Sequence, residues 1–123
     1  MEKPNGQGLG RVLKAAKCSM QGFAATWRHE AAFRQEAVLA ILSVPLAAWL
    51  AQSFLQFVLL IGVWCLVLIV ELLNSAIETL TDRVSLERHE LSGRAKDMGS
   101  AAVFLSLVLV ALVWGSALYG RLF

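Results

Sequence analysis

Charge is what this sequence has least of. Only 16% of its 123 residues are Asp, Glu, Lys or Arg, while 58% are hydrophobic; a soluble domain carries about 25% charge. No charged residue stands between Ala37 and Val70, and after Asp97 the only one is Arg121. Uncharged blocks of that length exceed the roughly 20 apolar residues that cross a bilayer, which excludes a soluble enzyme. The net charge of +2 is too small to make nucleic acid the main partner. Cysteine is also scarce: Cys18 lies in a basic stretch and Cys65 in an apolar run, so no disulfide frame or metal–thiolate spacing can be built and both read as free thiols. The first 30 residues lack the basic head, apolar region and small-residue cleavage site of a secretory signal. G-x-x-x-x-G-K-[ST], G-x-G-x-x-G, H-R-D, D-F-G and H-E-x-x-H are all missing, so any nucleotide is handled without a familiar nucleotide-binding fold.

What is present is organised by helical spacing. Leu9, Val12, Leu13, Ala16, Met20, Phe23 and Trp27 recur at steps of three and four, with Arg11, Lys14, Lys17 and Gln21 between them. That pattern fits an amphipathic helix over about 9–28 with a basic face, suited to an anionic membrane surface or to packing on the spans. The block from Ala37 to Val70 would be about 51 Å long as one helix, against a hydrocarbon core of about 30 Å, and must fold back. Gln52, Ser53 and Gln56 form its only polar cluster and mark the turn. The expected spans are about 30–51, with Pro45 as a tolerated kink, 54–80 and 98–119: an all-α membrane protein with one surface helix and three transmembrane helices, in a single domain over 1–123. Lys3, Arg11, Lys14, Lys17, Arg28 and Arg34 precede the first span; Arg83, Arg88, Arg94 and Lys96 lie between the second and third. The positive-inside rule therefore puts the N-terminus and the 82–97 loop in the cytoplasm and the C-terminus outside.

The second span ends in Val70-Glu-Leu-Leu-Asn-Ser-Ala-Ile-Glu-Thr-Leu-Thr-Asp82. At 100° per residue, Glu71, Asn74, Ser75, Glu78 and Asp82 share one arc of about 100°. Acids joined to an apolar run are costly in lipid and point to function. Helix–helix glue is one use of such a stripe. With no basic member, however, it suits protons or a hard cation such as Mg²⁺, which takes oxygen ligands. Glu30 and Glu36 open the first span at the same interface, where Glu30 either joins Glu78 on a metal or merely complements a helix dipole. The segment Glu87 to Ser100 reads as a cytoplasmic loop; Lys96 in it suits a phosphate, although a plain positive-inside loop has the same look.

The runs Glu30-Ala-Ala-Phe-Arg-Gln-Glu36, Glu71-Leu-Leu-Asn-Ser-Ala-Ile-Glu78 and His89-Glu-Leu-Ser-Gly-Arg-Ala-Lys-Asp-Met-Gly-Ser-Ala-Ala102 closely resemble the bacterial integral-membrane diacylglycerol kinases, over nearly the whole chain. The resemblance implies a homotrimer of the inner membrane, with shared active sites, that transfers the γ-phosphoryl group of Mg²⁺-bound ATP to diacylglycerol and yields phosphatidic acid. By it, Glu71 is the general base, and Glu30 and Glu78 hold Mg²⁺ and touch ATP. Asn74 and Asp82 support them. Arg11, Glu87, His89, Lys96 and Asp97 surround ATP, together with Cys18 and Arg88, which stand where relatives often carry an aromatic residue. Arg11, Ala32, Phe33, Arg34, Gln35, Glu36, Glu71 and Ser100 fall at lipid-substrate positions. Two other functions compete: a polyprenol (undecaprenol) kinase of the same family, and a small oligomeric proton-coupled transporter using Glu71. A structural subunit without chemistry is the blandest reading.

Overall fold

The computed structural model describes residues 7–123; Lys3, one of the basic residues used for orientation, lies outside them. Among the described residues the chain forms four helices: α1 (Leu9–His29), α2 (Ala31–Leu50), α3 (Phe54–Val84) and α4 (Glu90–Leu122). The last three are long and apolar enough to cross a membrane. α3 is the central element, with α4 packed along it most extensively, α2 beside it, and α1 touching α2 and α3 only lightly.

α1 buries none of its residues. Leu13 and Met20 on its apolar face are 61% and 65% exposed, as a helix lying in an interface requires. It breaks at Glu30, whose backbone is extended (φ −120°, ψ 105°), with neither Gly nor Pro at the junction. The break separates a helix with a charged face from one that is apolar on every side beyond Glu36. Arg34 closes it: the guanidinium donates to the carbonyl oxygens of Trp27 (2.6 Å) and Arg28 (3.2 Å), acceptors that the end of α1 leaves unpaired. Pro45 is carried inside α2.

The turn between α2 and α3 sits at the Gln52–Ser53–Gln56 cluster. Ser53 Oγ accepts from the Gln56 N–H at 3.1 Å, and Gln56 Oε1 accepts from the Gln52 N–H at 2.7 Å, a relative of the capping box that satisfies two donors reciprocally. Gln52 also donates through Nε2 to the Gly120 carbonyl at 3.2 Å, and Arg121 stacks over Trp49 at 4.9 Å from the ring centre. The same end holds the apolar core, where Ala47, Leu50, Leu60 and Ala117 meet. Trp114 donates its indole N–H to the Leu60 carbonyl at 3.1 Å, giving a half-buried donor the partner that lipid cannot supply.

Two boundaries differ from the sequence expectation. α3 continues to Val84 rather than stopping near Leu80, and α4 starts at Glu90 rather than near Met98. The segment from Glu87 to Ser100 is therefore mostly helix, not loop. At 1.5 Å per residue α3 and α4 are about 46 and 50 Å long, well beyond an apolar thickness of about 30 Å. Their polar ends continue as helix beyond the apolar stretches. Local chemistry sustains this: His89 Nδ1 accepts from the Leu91 N–H at 3.0 Å as the N-cap of α4, and Glu90 pairs with Arg94 at 3.3 Å one turn on.

Candidate active site

The polar arc of α3 is assembled where that helix meets α2 and α4. Glu71, Asn74 and Ser75 are buried, at 4%, 9% and 6% exposure, on a helix whose other buried residues are Leu60, Val63 and Val67. The apolar face that packs α3 into the bundle thus turns polar toward one end without changing direction. Glu71 Oε2, Asn74 Oδ1, Ser75 Oγ and, from α2, Glu36 Oε2 are buried without a hydrogen-bond partner. Most buried polar atoms are paired; these four gather toward the polar end of the bundle, which makes it the candidate site.

Glu78 stands about 10 Å along the axis from Glu71. Its Oε1 accepts from Asn74 Nδ2 at 3.1 Å, which fixes the carboxylate on the arc. Glu30, Glu36 and Glu78 all lie within electrostatic reach of Glu71, so α2 and the α1–α2 junction bring their acids to the acids of α3. Among the described residues, a cation pairs with the arc at its far end: Lys96 Nζ of α4 donates to Asp82 Oδ1 at 2.7 Å. No group of three or more His, Cys, Asp or Glu side chains is preassembled as a metal cage among the described residues. Mg²⁺ does not ask for one, since it is held through one or two carboxylates with waters and substrate phosphates completing its shell. Glu30 and Glu78 are donors of that kind.

Two clefts lie toward the polar end of the bundle. The larger, about 680 Å³, opens between α1 and α3 and is lined by Gly22, Thr26, Glu30, Ser75, Thr79 and Arg83 among others; Glu71 and Glu78 are not on its walls. The second, about 410 Å³, lies at the α3–α4 connection, bounded by Ser85, Glu87, Arg88, His89 and Ser92.

The remaining sequence candidates are spread out. Arg11 and Cys18 are exposed on α1, and Asp97 and Ser100 are exposed on α4. Of the run from Ala32 to Glu36, Phe33 is buried, Arg34 and Glu36 are half-buried, and Ala32 and Gln35 face outward. Arg34 is engaged in closing α1 and His89 in capping α4. Two residues of the site were not singled out for it. Ser75 was visible only as a member of the arc. Gly99, the sole buried glycine among the described residues, packs against Asn74, and nothing in the sequence marked it apart from being a glycine within a helix.

Comparison with known proteins agrees with this architecture. The family described as prokaryotic diacylglycerol kinase matches residues 17–118. The diacylglycerol kinase of Haemophilus influenzae is 46% identical over 112 residues, 91% of this chain and 95% of its own length. That of Escherichia coli is 52% identical over 110 residues, covering 89% and 90%, and that of Pseudomonas aeruginosa is 52% identical over 113 residues, covering 92% of each. With three apolar spans, one polar end and a match along nearly its whole length, the chain belongs to the prokaryotic diacylglycerol kinase family.

Proposed function

We propose that this single-domain chain phosphorylates diacylglycerol to phosphatidic acid with ATP and Mg²⁺, at the cytoplasmic face of the bacterial inner membrane, as a homotrimer. The observation that carries the reading is Glu71: a carboxylate inside an apolar bundle, with one oxygen unpartnered, on the same helix face as Glu78. Phosphoryl transfer asks a protein mainly for positioning and charge neutralisation. Glu30 and Glu78 are the residues that would hold Mg²⁺, which would supply charge neutralisation for the nucleotide phosphates. Lys96, already over the arc, turns its ammonium to the same phosphates, and the connection carrying Glu87, Arg88 and His89 covers the rest of the nucleotide. Glu71 accepts the proton of the lipid hydroxyl as its oxygen bonds to the γ-phosphorus and the bond to the departing ADP breaks. A base must come within about 3 Å of that hydroxyl, and a glutamate below the metal-binding level suits an acceptor held at the depth of a lipid headgroup.

Several features support the finer points. The basic residues of α1 and of the α3–α4 region flank the polar end, which favours its cytoplasmic placement. Each span buries only about a fifth of its apolar window or less, and α1 covers the arc on one side only, which favours completion of the site by neighbouring copies. The proton-coupled transporter needs a polar path through the outer half of the bundle; there the helices meet through Ala47, Leu50, Leu60 and Ala117.

The test is transfer of ³²P from γ-labelled ATP to dioleoylglycerol or undecaprenol, offered in parallel to the purified protein in mixed micelles with Mg²⁺. Label in phosphatidic acid that disappears with Glu71→Gln is the expected result. Label in the polyprenyl phosphate alone reassigns the acceptor, and no label in either lipid refutes a kinase.

A further inference from the structure

Gly99 is one of three buried residues on α4, and the helix there comes against the side chain of Asn74. A Cβ on Gly99 would collide with Asn74 Oδ1, would stand 3.2 Å from Asn74 Cγ, and would lie 3.8 Å from Asn74 Cα. Gly10, Gly22, Gly62, Gly93 and Gly115 would meet nothing within 4 Å. Bareness is therefore used at Gly99 and at none of those five. What it accommodates is unusual in turn. Asn74 Oδ1 is buried without a hydrogen-bond partner, while Nδ2 of the same amide donates to Glu78.

An Asn amide is a rigid plane. An orphaned oxygen would ordinarily rotate that plane toward a donor, taking the N–H away from Glu78. With α4 lying on Asn74 Oδ1, the plane has no room to turn, so long as residue 99 brings no methyl group.

We propose that Gly99 is a positioning residue: by letting α4 close over Asn74 it locks the Asn74 amide onto Glu78, and so sets the affinity of Glu78 for a divalent cation. The inference rests on the proposed role of Glu78 as a metal ligand. Gly99→Ala pushes Oδ1 aside, turns the amide and leaves the Glu78 carboxylate unsteadied, the same loss that Asn74→Ala produces directly.

The test measures binding rather than turnover: Mn²⁺ titrated into the purified protein with the non-hydrolysable β,γ-imido analogue of ATP, read by loss of the free-Mn²⁺ electron paramagnetic resonance signal. Gly99→Ala and Asn74→Ala are each expected to weaken Mn²⁺ binding by about tenfold or more, as loss of a hydrogen bond to a charged group implies. The double variant should bind no more weakly than Asn74→Ala, because both changes remove one interaction. Unchanged binding in Gly99→Ala, or losses that multiply in the double variant, would overturn the proposal. Should Gly99→Ala not assemble, the comparison decides between the double variant, where the truncated residue 74 makes room for the methyl group, and Asn74→Ala: equal affinities sustain the role and a weaker double variant overturns it. Glu78→Gln separates the two levels. If it too binds Mn²⁺ normally, the metal assignment fails and this role with it. If Glu78→Gln loses binding while Gly99→Ala keeps it, only the role of Gly99 falls.

Discussion

Replacing Glu71 by Gln should abolish turnover and at the same time make the folded protein more stable. Glu71 is 4% exposed and one of its oxygens has no partner. Glu30, Glu36 and Glu78 lie near it, and among the described residues no salt bridge reaches it. Two carboxylates about 10 Å apart, the rise between residues 71 and 78, repel by about 1.7 kcal/mol at an effective dielectric constant near 20. An unmade hydrogen bond at a buried polar atom adds about 1–3 kcal/mol. Gln keeps the shape, removes the charge and offers an N–H to the neighbouring carboxylates, so a gain of about 1–3 kcal/mol is expected once imperfect geometry is allowed for. Reversible unfolding in mixed detergent micelles measures the gain, and phosphoryl transfer in the same micelles measures the loss. A Glu71→Gln protein that is less stable than the parent would refute the picture of an unpaired, mutually repelling cluster. One that still phosphorylates lipid would refute the base.

Glu78→Gln should raise the Mg²⁺ concentration needed for half-maximal rate or abolish activity, and an unchanged Mg²⁺ titration would remove Glu78 from the metal. Lys96→Gln should cost less than about 1 kcal/mol of stability, since its pair with Asp82 is exposed on both sides (43% and 46%) and such pairs contribute little; the KM for ATP should nevertheless rise severalfold, and an unaltered KM would take Lys96 off the phosphates. Ser53→Ala removes the α3 N-cap at the opposite end of the bundle. A loss of about 1 kcal/mol in unfolding free energy is expected, with the Mg²⁺ requirement left where it was.

Much of the fold was legible because the bilayer enforces it. A stretch of 34 residues without charge has to be helical and has to fold back, and Gln52, Ser53 and Gln56 were the only groups in it able to line a turn. The arc of Glu71, Asn74, Ser75, Glu78 and Asp82 followed from the helical repeat alone. The polar ends of α3 and α4 run further than hydropathy suggests for a related reason. Hydropathy reports where the apolar surface stops, not where backbone hydrogen bonding stops, and both helices run on into water. Besides the nucleotide and lipid contacts expected of them, His89 accepts from the Leu91 N–H and Arg34 bonds carbonyls at the end of α1. Those engagements depend on where the chain breaks, which no single residue announces.

By itself the sequence determined the medium, the number of spans, the direction of the polar face and, through long polar motifs within apolar helices, the family. These are properties of composition and of a fixed angular step, both local along the chain. Only the tertiary structure decided that Glu36 and Glu30 would approach Glu71, that Lys96 would reach Asp82, and that α4 would lie on Asn74 at Gly99. Such approaches depend on crossing geometry between helices. A missing Cβ acquires meaning only when another helix occupies its place.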